Sequence, residues 1–241
     1  MSQLTRIGWH DPRQRQYIES ICVESKRILE SHETAISPSG HYRLDIDRYK
    51  QGESLWNYSS GIVIRVADQK IIADVKRNYG HFWYTWVEHH NGNEYLLCSE
   101  DYQGYSVINL TQEIAQVYLP EAAERGGGFC WAGAYPSSDK LILAVEGCYW
   151  AWPYEIVFYD FSDPSNLPLP EVARIDAADE LLGWEDGDTF AVRYATKLRK
   201  SDGKKYDDLT DPEQEALDKD ESLVDYEYQI IRWRRSTCKT D

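Results

Sequence analysis

The chain has 241 residues, and its 26 Lys and Arg against 41 Asp and Glu leave a formal charge of −15. That length can bury roughly 70–75% of the unfolded surface, so folding requires neither disulfides nor a structural metal. The acidic balance opposes nucleic acid or an anionic membrane as partner, because binding there needs Lys and Arg to neutralise phosphate.

No apolar run approaches a bilayer span, and Met1 to His10 lack the basic-then-apolar layout of a secretion signal, so a soluble cytoplasmic protein is expected. The five cysteines, Cys22, Cys98, Cys130, Cys148 and Cys238, are odd in number and form no C-x-x-C pair. They read as small buried hydrophobes, with no zinc knuckle, metal site or cofactor expected. Eighteen Tyr and nine Trp stand against five Phe, which favours strands with many half-buried aromatic positions.

In chain order, Gln3–Ile7 has strand character. Asp11 and Pro12 then cap and start a helix whose apolar positions Tyr17, Ile18, Ile21, Cys22, Ile28 and Leu29 carry it to about Ser31. Residues 1–32 are therefore expected as an N-terminal segment and helix packed on a β body spanning 33–241. From Thr34 the periodicity is that of strands, and turn signals recur at Gly40, Gly92, Asp139 and Gly187, spaced by 52, 47 and 48 residues. This divides the body into units of about 33–80, 81–128, 129–177 and 178–235. The first three parse into four antiparallel strands each, the content of one propeller blade.

The fourth unit supplies three strands, Asp179–Glu185, Thr189–Ala195 and Asp225–Trp233, with a polar insertion over 196–224. Inside it Thr210, Pro212 and Glu213 predict a short helix over Asp211–Lys219. Gln3–Ile7 is the expected source of the missing outer strand. The fold class read from this pattern is all-β: a four-unit β-propeller-like domain with an N-terminal α-helix, or alternatively an open or sandwich-like β fold.

The run Tyr135-Pro136-Ser137-Ser138-Asp139-Lys140-Leu141 through Val145, followed by Ile156 to Phe161, resembles the repeats of WD40-like and TolB-like β-propellers, and Ser37-Pro38-Ser39-Gly40 is the same kind of turn. No unit carries the Trp-Asp dipeptide of WD40 repeats. The chain also looks like bacterial proteins of no assigned activity.

Catalytic signatures are missing: there is no G-x-S-x-G, H-E-x-x-H, P-loop or G-x-G-x-x-G. His89 and His90 on a strand are expected to point to opposite sides as solvated histidines. In an antiparallel blade the second-to-third-strand loop and the exit to the next blade share one rim. That rule gathers Trp56, Tyr58, Arg77, His81, Glu100, Asp101, Tyr102, Glu146, Tyr149, Trp150 and Trp152 as candidate partner- or ligand-binding residues. Aromatic faces beside carboxylates and guanidinium groups suit a partner's side chains, a sugar or a cation, although the same residues could pack blade against blade. The preferred reading is a non-catalytic protein-interaction module with a basic partner. A small-ligand or glycan binder is the alternative, and a hydrolase pairing carboxylates such as Glu100 and Glu146 a second one.

Overall fold

The computed structural model describes residues 4–53, 56–150 and 153–235. Its strands follow one another in four sheets, as the all-β, propeller-like reading requires. Two compact units divide the chain, residues 1–174 and 175–241.

In the first unit, strand β1 (Thr5–Gly8) and helix α1 (Pro12–Ile21) precede a meander of β2 (Glu33–Ile36), β3 (Tyr42–Tyr49), β4 (Tyr58–Arg65) and β5 (Lys70–Arg77). The second meander is β6 (Thr85–Glu88), β7 (Glu94–Cys98), β8 (Tyr105–Asn109) and β9 (Ile114–Leu119), and the third is β10 (Cys130–Pro136), β11 (Ile142–Cys148), β12 (Glu155–Asp160) and β13 (Glu171–Ile175). Apolar side chains on facing sheets fuse them. Leu44, Val63, Ala73 and Val75 of the first sheet meet Leu96, Cys98 and Ile108 of the second. On the other side, Val87, Leu97 and Val107 meet Leu143, Val145 and Val157 of the third. Each sheet therefore buries both faces or one, according to its place in this succession.

Three expectations need correction. The helix stops at Ile21, not Ser31. Beyond it, the backbone pairs along β3 instead: Ile28 N–H donates to Arg48 O at 2.8 Å and Lys50 N–H to Lys26 O at 2.9 Å. Strand pairing there satisfies the backbone where β2 no longer reaches, and it overrides local helix propensity. The N-terminal strand does not join the fourth sheet. It pairs in parallel with β9, Thr5 opposite Gln116 and Gly8 opposite Leu119, so the second sheet has five strands. His89 is not solvated: it lies past the end of β6, is buried, and its Nε2 meets Phe161 O at 2.9 Å, with the His90 ring 4.2 Å away. The alternation of a strand ends at Glu88, so the two rings lie against each other instead of diverging.

The second unit holds β14 (Glu180–Trp184), β15 (Thr189–Arg199), helix α2 (Asp211–Lys219) and β16 (Val224–Arg234). Helix α2 has the predicted bounds, and Thr210 and Glu213 form the capping box. The β15–β16 ladder runs from Thr189 opposite Arg234 to Arg199 opposite Val224, so the first residues assigned to the insertion are paired strand. Phe190, Ala191 and Val192 are fully buried, and Trp184 packs on Phe190 and Trp233 with ring centroids 5.2 and 6.2 Å apart.

Burial makes the fold sensitive to alkali. Desolvation pushes the Cys22 and Cys98 thiols up to about 11 and about 12, from an ordinary 9.0. The Tyr105 and Tyr159 phenols are raised for the same reason. The folded chain thus keeps protons that the unfolded chain releases from about pH 9–10 upward, so stability falls as pH rises through that range. Each group contributes up to about 1.4 kcal/mol per pH unit. Denaturant midpoints should decline steeply above about pH 10, with the phenolate absorbance of the buried Tyr105 and Tyr159 appearing only on unfolding. A level midpoint to pH ~11 would contradict this account of the core.

Candidate functional site

At one end of the first unit's sheets, the loops and strand ends surround a cavity of about 480 Å³. Chain direction explains the assembly. Trp56 lies between β3 and β4, Tyr102 between β7 and β8, and Trp150 and Tyr154 between β11 and β12. Arg77 ends β5, and Tyr79 and His81 follow it in the exit to β6. In successive antiparallel meanders these segments all emerge at the same end.

The aromatic rings form a connected series. Trp56 contacts Tyr79 and Tyr102 edge-on at 6.0 and 6.2 Å between centroids, and Tyr102 contacts Trp150 at 6.2 Å. Trp150 is anchored by its indole N–H, which donates to Gly126 O at 2.8 Å, while 62% of the residue stays exposed. Trp56 is likewise 52% exposed. Deeper in, Trp83 and Trp131 stack with centroids 5.9 Å apart, and the Trp83 indole N–H donates to Ser99 Oγ. The rings are therefore held among their neighbours and bare at the cavity mouth.

Arg77 is the buried charge of the cavity, with only 3% of its surface exposed. Its Nη1 donates to Ser99 O at 3.3 Å, its guanidinium carbon sits 5.9 Å from the Tyr79 ring centroid, and its Nε is buried without a hydrogen-bond partner. Desolvation lowers its pKa to about 10, opposed chiefly by the field of Asp101. Partial desolvation, together with the charges of Arg77 and Arg48, lowers the pKa of the more exposed His81 and favours its neutral form. Cys130 and Cys148 face each other across β10 and β11 on the cavity wall. Burial pushes the Cys130 thiol up to about 11, which suppresses the nucleophilic thiolate.

Of the residues singled out from sequence, Trp56, Arg77, His81, Tyr102 and Trp150 converge here. Others do not. Tyr58 is buried beneath α1 with Ile18, Ile21, Cys22 and Tyr49. Its strand alternation points it to the helix face. Tyr149 packs on Phe129 and Arg174 at a neighbouring cavity. Trp152 lies outside the described residues.

The acidic residues are engaged elsewhere. Glu100 accepts from Arg6 Nε and Nη2 at 3.0 and 2.8 Å. Asp101 accepts from Asn78, Gln14 and the Gln103 backbone, and Glu146 from the Tyr135 hydroxyl. Among the described residues, no carboxylate lines the aromatic cavity. Glu100 and Glu146 thus serve separate hydrogen-bond networks. Among the described residues, no cluster of His, Cys, Asp and Glu could hold a metal ion, and no helix is long and apolar enough to cross a membrane. Trp83 and Trp131 escape the rim rule because they sit at strand starts. Their separation of 48 residues matches the repeat spacing and is the signal that could have found them.

A mostly-β chain with blade-like sheets and an aromatic cavity at their shared end is the class defined by these observations. No family model matches it. The chain is 31% identical over 204 residues to "Uncharacterized protein R762" of Acanthamoeba polyphaga mimivirus, covering 81% of this chain and 80% of that protein. It belongs to the family of that protein, a viral relative in place of the bacterial ones expected. Among solved structures, the β-propeller domain of Myceliophteria_thermophila Cps50 (Swd1) aligns over 74% of this chain at 14% identity and a TM-score of 0.39, and this chain spans 50% of that one.

Proposed function

We propose that this chain is a non-catalytic protein-interaction module and that the aromatic cavity receives a segment of its partner. The observation that carries this reading is the pair of exposed indoles, Trp56 and Trp150, held at the mouth of a preformed cavity. Tyr, Trp and Arg dominate interface energetics, and the rigid rings of Tyr and Trp bury large area at small entropic cost. The net charge of −15 would speed encounter with a basic partner, an effect that added salt would weaken. A small ligand is the second reading, favoured by the volume of about 480 Å³, within the usual range for such sites.

Panning a random peptide library on the immobilised protein tests the first reading. Enriched peptides should bind the Trp56→Ala/Trp150→Ala variant at least about tenfold more weakly than the native protein. Equal binding to both proteins would remove the cavity from the interaction. Failure to enrich peptides, combined with aromatic small molecules that quench Trp fluorescence, would transfer the site to the second reading.

A further inference from the structure

Resting on the cavity being a binding site, we propose that its occupant presents a carboxylate to Arg77, next to an apolar or aromatic body held by Trp56, Tyr102 and Trp150. Arg77 lacks what less buried arginines of this chain possess. Arg6 pairs with Glu100, Arg65 with Asp68 and Glu113, Arg174 with Glu155 and Glu171, and Arg199 with Asp202 and Glu213. Arg77 is buried most deeply of these, yet among the described residues no carboxylate lies within 4.0 Å of it. In a chain with 41 Asp and Glu, an ion pair was chemically available.

The acid whose field acts most on Arg77 is Asp101, and its oxygens are committed to other donors. Asp101 spends its oxygens on Asn78 Nδ2 at 2.5 Å, Gln14 Nε2 at 3.2 Å and Gln103 N–H at 2.9 Å. Of the guanidinium's five N–H donors, one reaches Ser99 O and the Nε–H finds no acceptor. A buried cation without an ion-pair partner is costly, and an entering anion relieves that cost while gaining charge-assisted hydrogen bonds in a low-dielectric site. Among its described residues the cavity wall adds no carboxylate to repel such an anion.

The wall also selects the kind of anion and rejects the opposite charge. Among the described residues no lysine or second arginine lines it, and His81 is shifted toward its neutral form, so a single negative charge is matched better than a phosphate dianion. Aromatic cages elsewhere favour cations, but here a bound cation would face the Arg77 charge with no carboxylate among the described residues of the wall. Attraction to a basic partner therefore belongs to the outer surface, and the cavity takes an acidic or C-terminal element of that partner.

Calorimetric titration with three probes tests this: N-acetyl-phenylalanine, its neutral amide, and the amidated dipeptide N-acetyl-Phe-Asp. The first carries a main-chain carboxylate and the third a side-chain carboxylate, so their order separates a chain terminus from an acidic side chain. At least one acid should bind about tenfold or more tightly than the neutral amide. In Arg77→Met, which removes a buried charge at similar volume, that preference should collapse to near unity. Arg77→Lys should restore part of it, and the melting curve of each variant verifies folding.

The outcomes separate the two readings. If Trp150→Ala weakens every probe but acid and amide bind equally to the native protein, the anion inference falls and the cavity stands. The anion inference also falls, with the cavity intact, if the preference survives in Arg77→Met. If Trp150→Ala changes nothing, or no probe binds at millimolar concentration, the cavity reading itself is overturned.

Discussion

Replacing Trp131 by alanine should destabilise the first unit by about 3–5 kcal/mol, a large part of what a domain of this size possesses. Trp131 is 3% exposed and stacks on Tyr105 at 4.2 Å between centroids with 21° between ring planes. Tyr159 lies 5.3 Å away and Trp83 5.9 Å away, so one ring bridges the second and third sheets. Truncation removes the transfer free energy of the indole and leaves a void that rigid neighbouring rings cannot fill. Because Trp131 also lines the aromatic cavity, the variant should bind probes poorly even when folded. Trp131→Phe keeps an aromatic face and should lose less, about 1–2 kcal/mol. Urea titrations followed by near-UV circular dichroism, which reports the stacked rings, read both values. A loss below about 1 kcal/mol for the alanine variant would mean that the sheets are not joined through this ring.

Which features were legible in the sequence follows from the range of the forces involved. Strand positions and turns are local, and Gly40, Gly92 and Gly187 indeed adopt positive φ at the marked turns. The capping box at Thr210 is local too, and helix α2 has the bounds read from it. The convergence of Trp56, Tyr102 and Trp150 was legible because chain direction in an antiparallel meander is a parity rule and needs no coordinates.

Long-range pairing carries no such signal. Nothing near Glu100 in sequence shows that Arg6, 94 residues away, would claim it, or that Asn78 and Gln14 would occupy Asp101. Sequence therefore set Glu100, Asp101 and Glu146 beside the aromatic rings, where the structure commits them to other partners and leaves a buried cation. The end of α1 escaped for a related reason. Apolar residues at helical spacing continue past Ile21, but the free edge of β3 offers hydrogen bonds that periodicity cannot reveal.

Deleting residues 1–10 should lower the stability of the first unit by about 3 kcal/mol and its Tm by roughly 6–12 °C. Three losses combine. The four residues of β1 leave the edge of β9, whose backbone groups facing β1 between Gln116 and Leu119 become unpaired while those facing β8 stay bonded. Leu4 no longer covers the core between the first two sheets. Glu100, with its side chain 10% exposed, loses its bidentate partner Arg6 and keeps only Arg15 at 3.5 Å. An uncovered sheet edge is a template for pairing with other chains, so the truncated protein should also associate as its concentration rises. Gly8→Ala isolates the docking step. Gly8 has φ +83°, and a Cβ there would sit 2.2 Å from Leu119 O, so the substitution should release β1 without removing it. Scanning calorimetry and light scattering of the two variants give the answer. If both match the native protein in Tm and remain monodisperse, β1 is not a structural part of the second sheet; if only the deletion is affected, the strand docks in a register that tolerates a side chain at position 8.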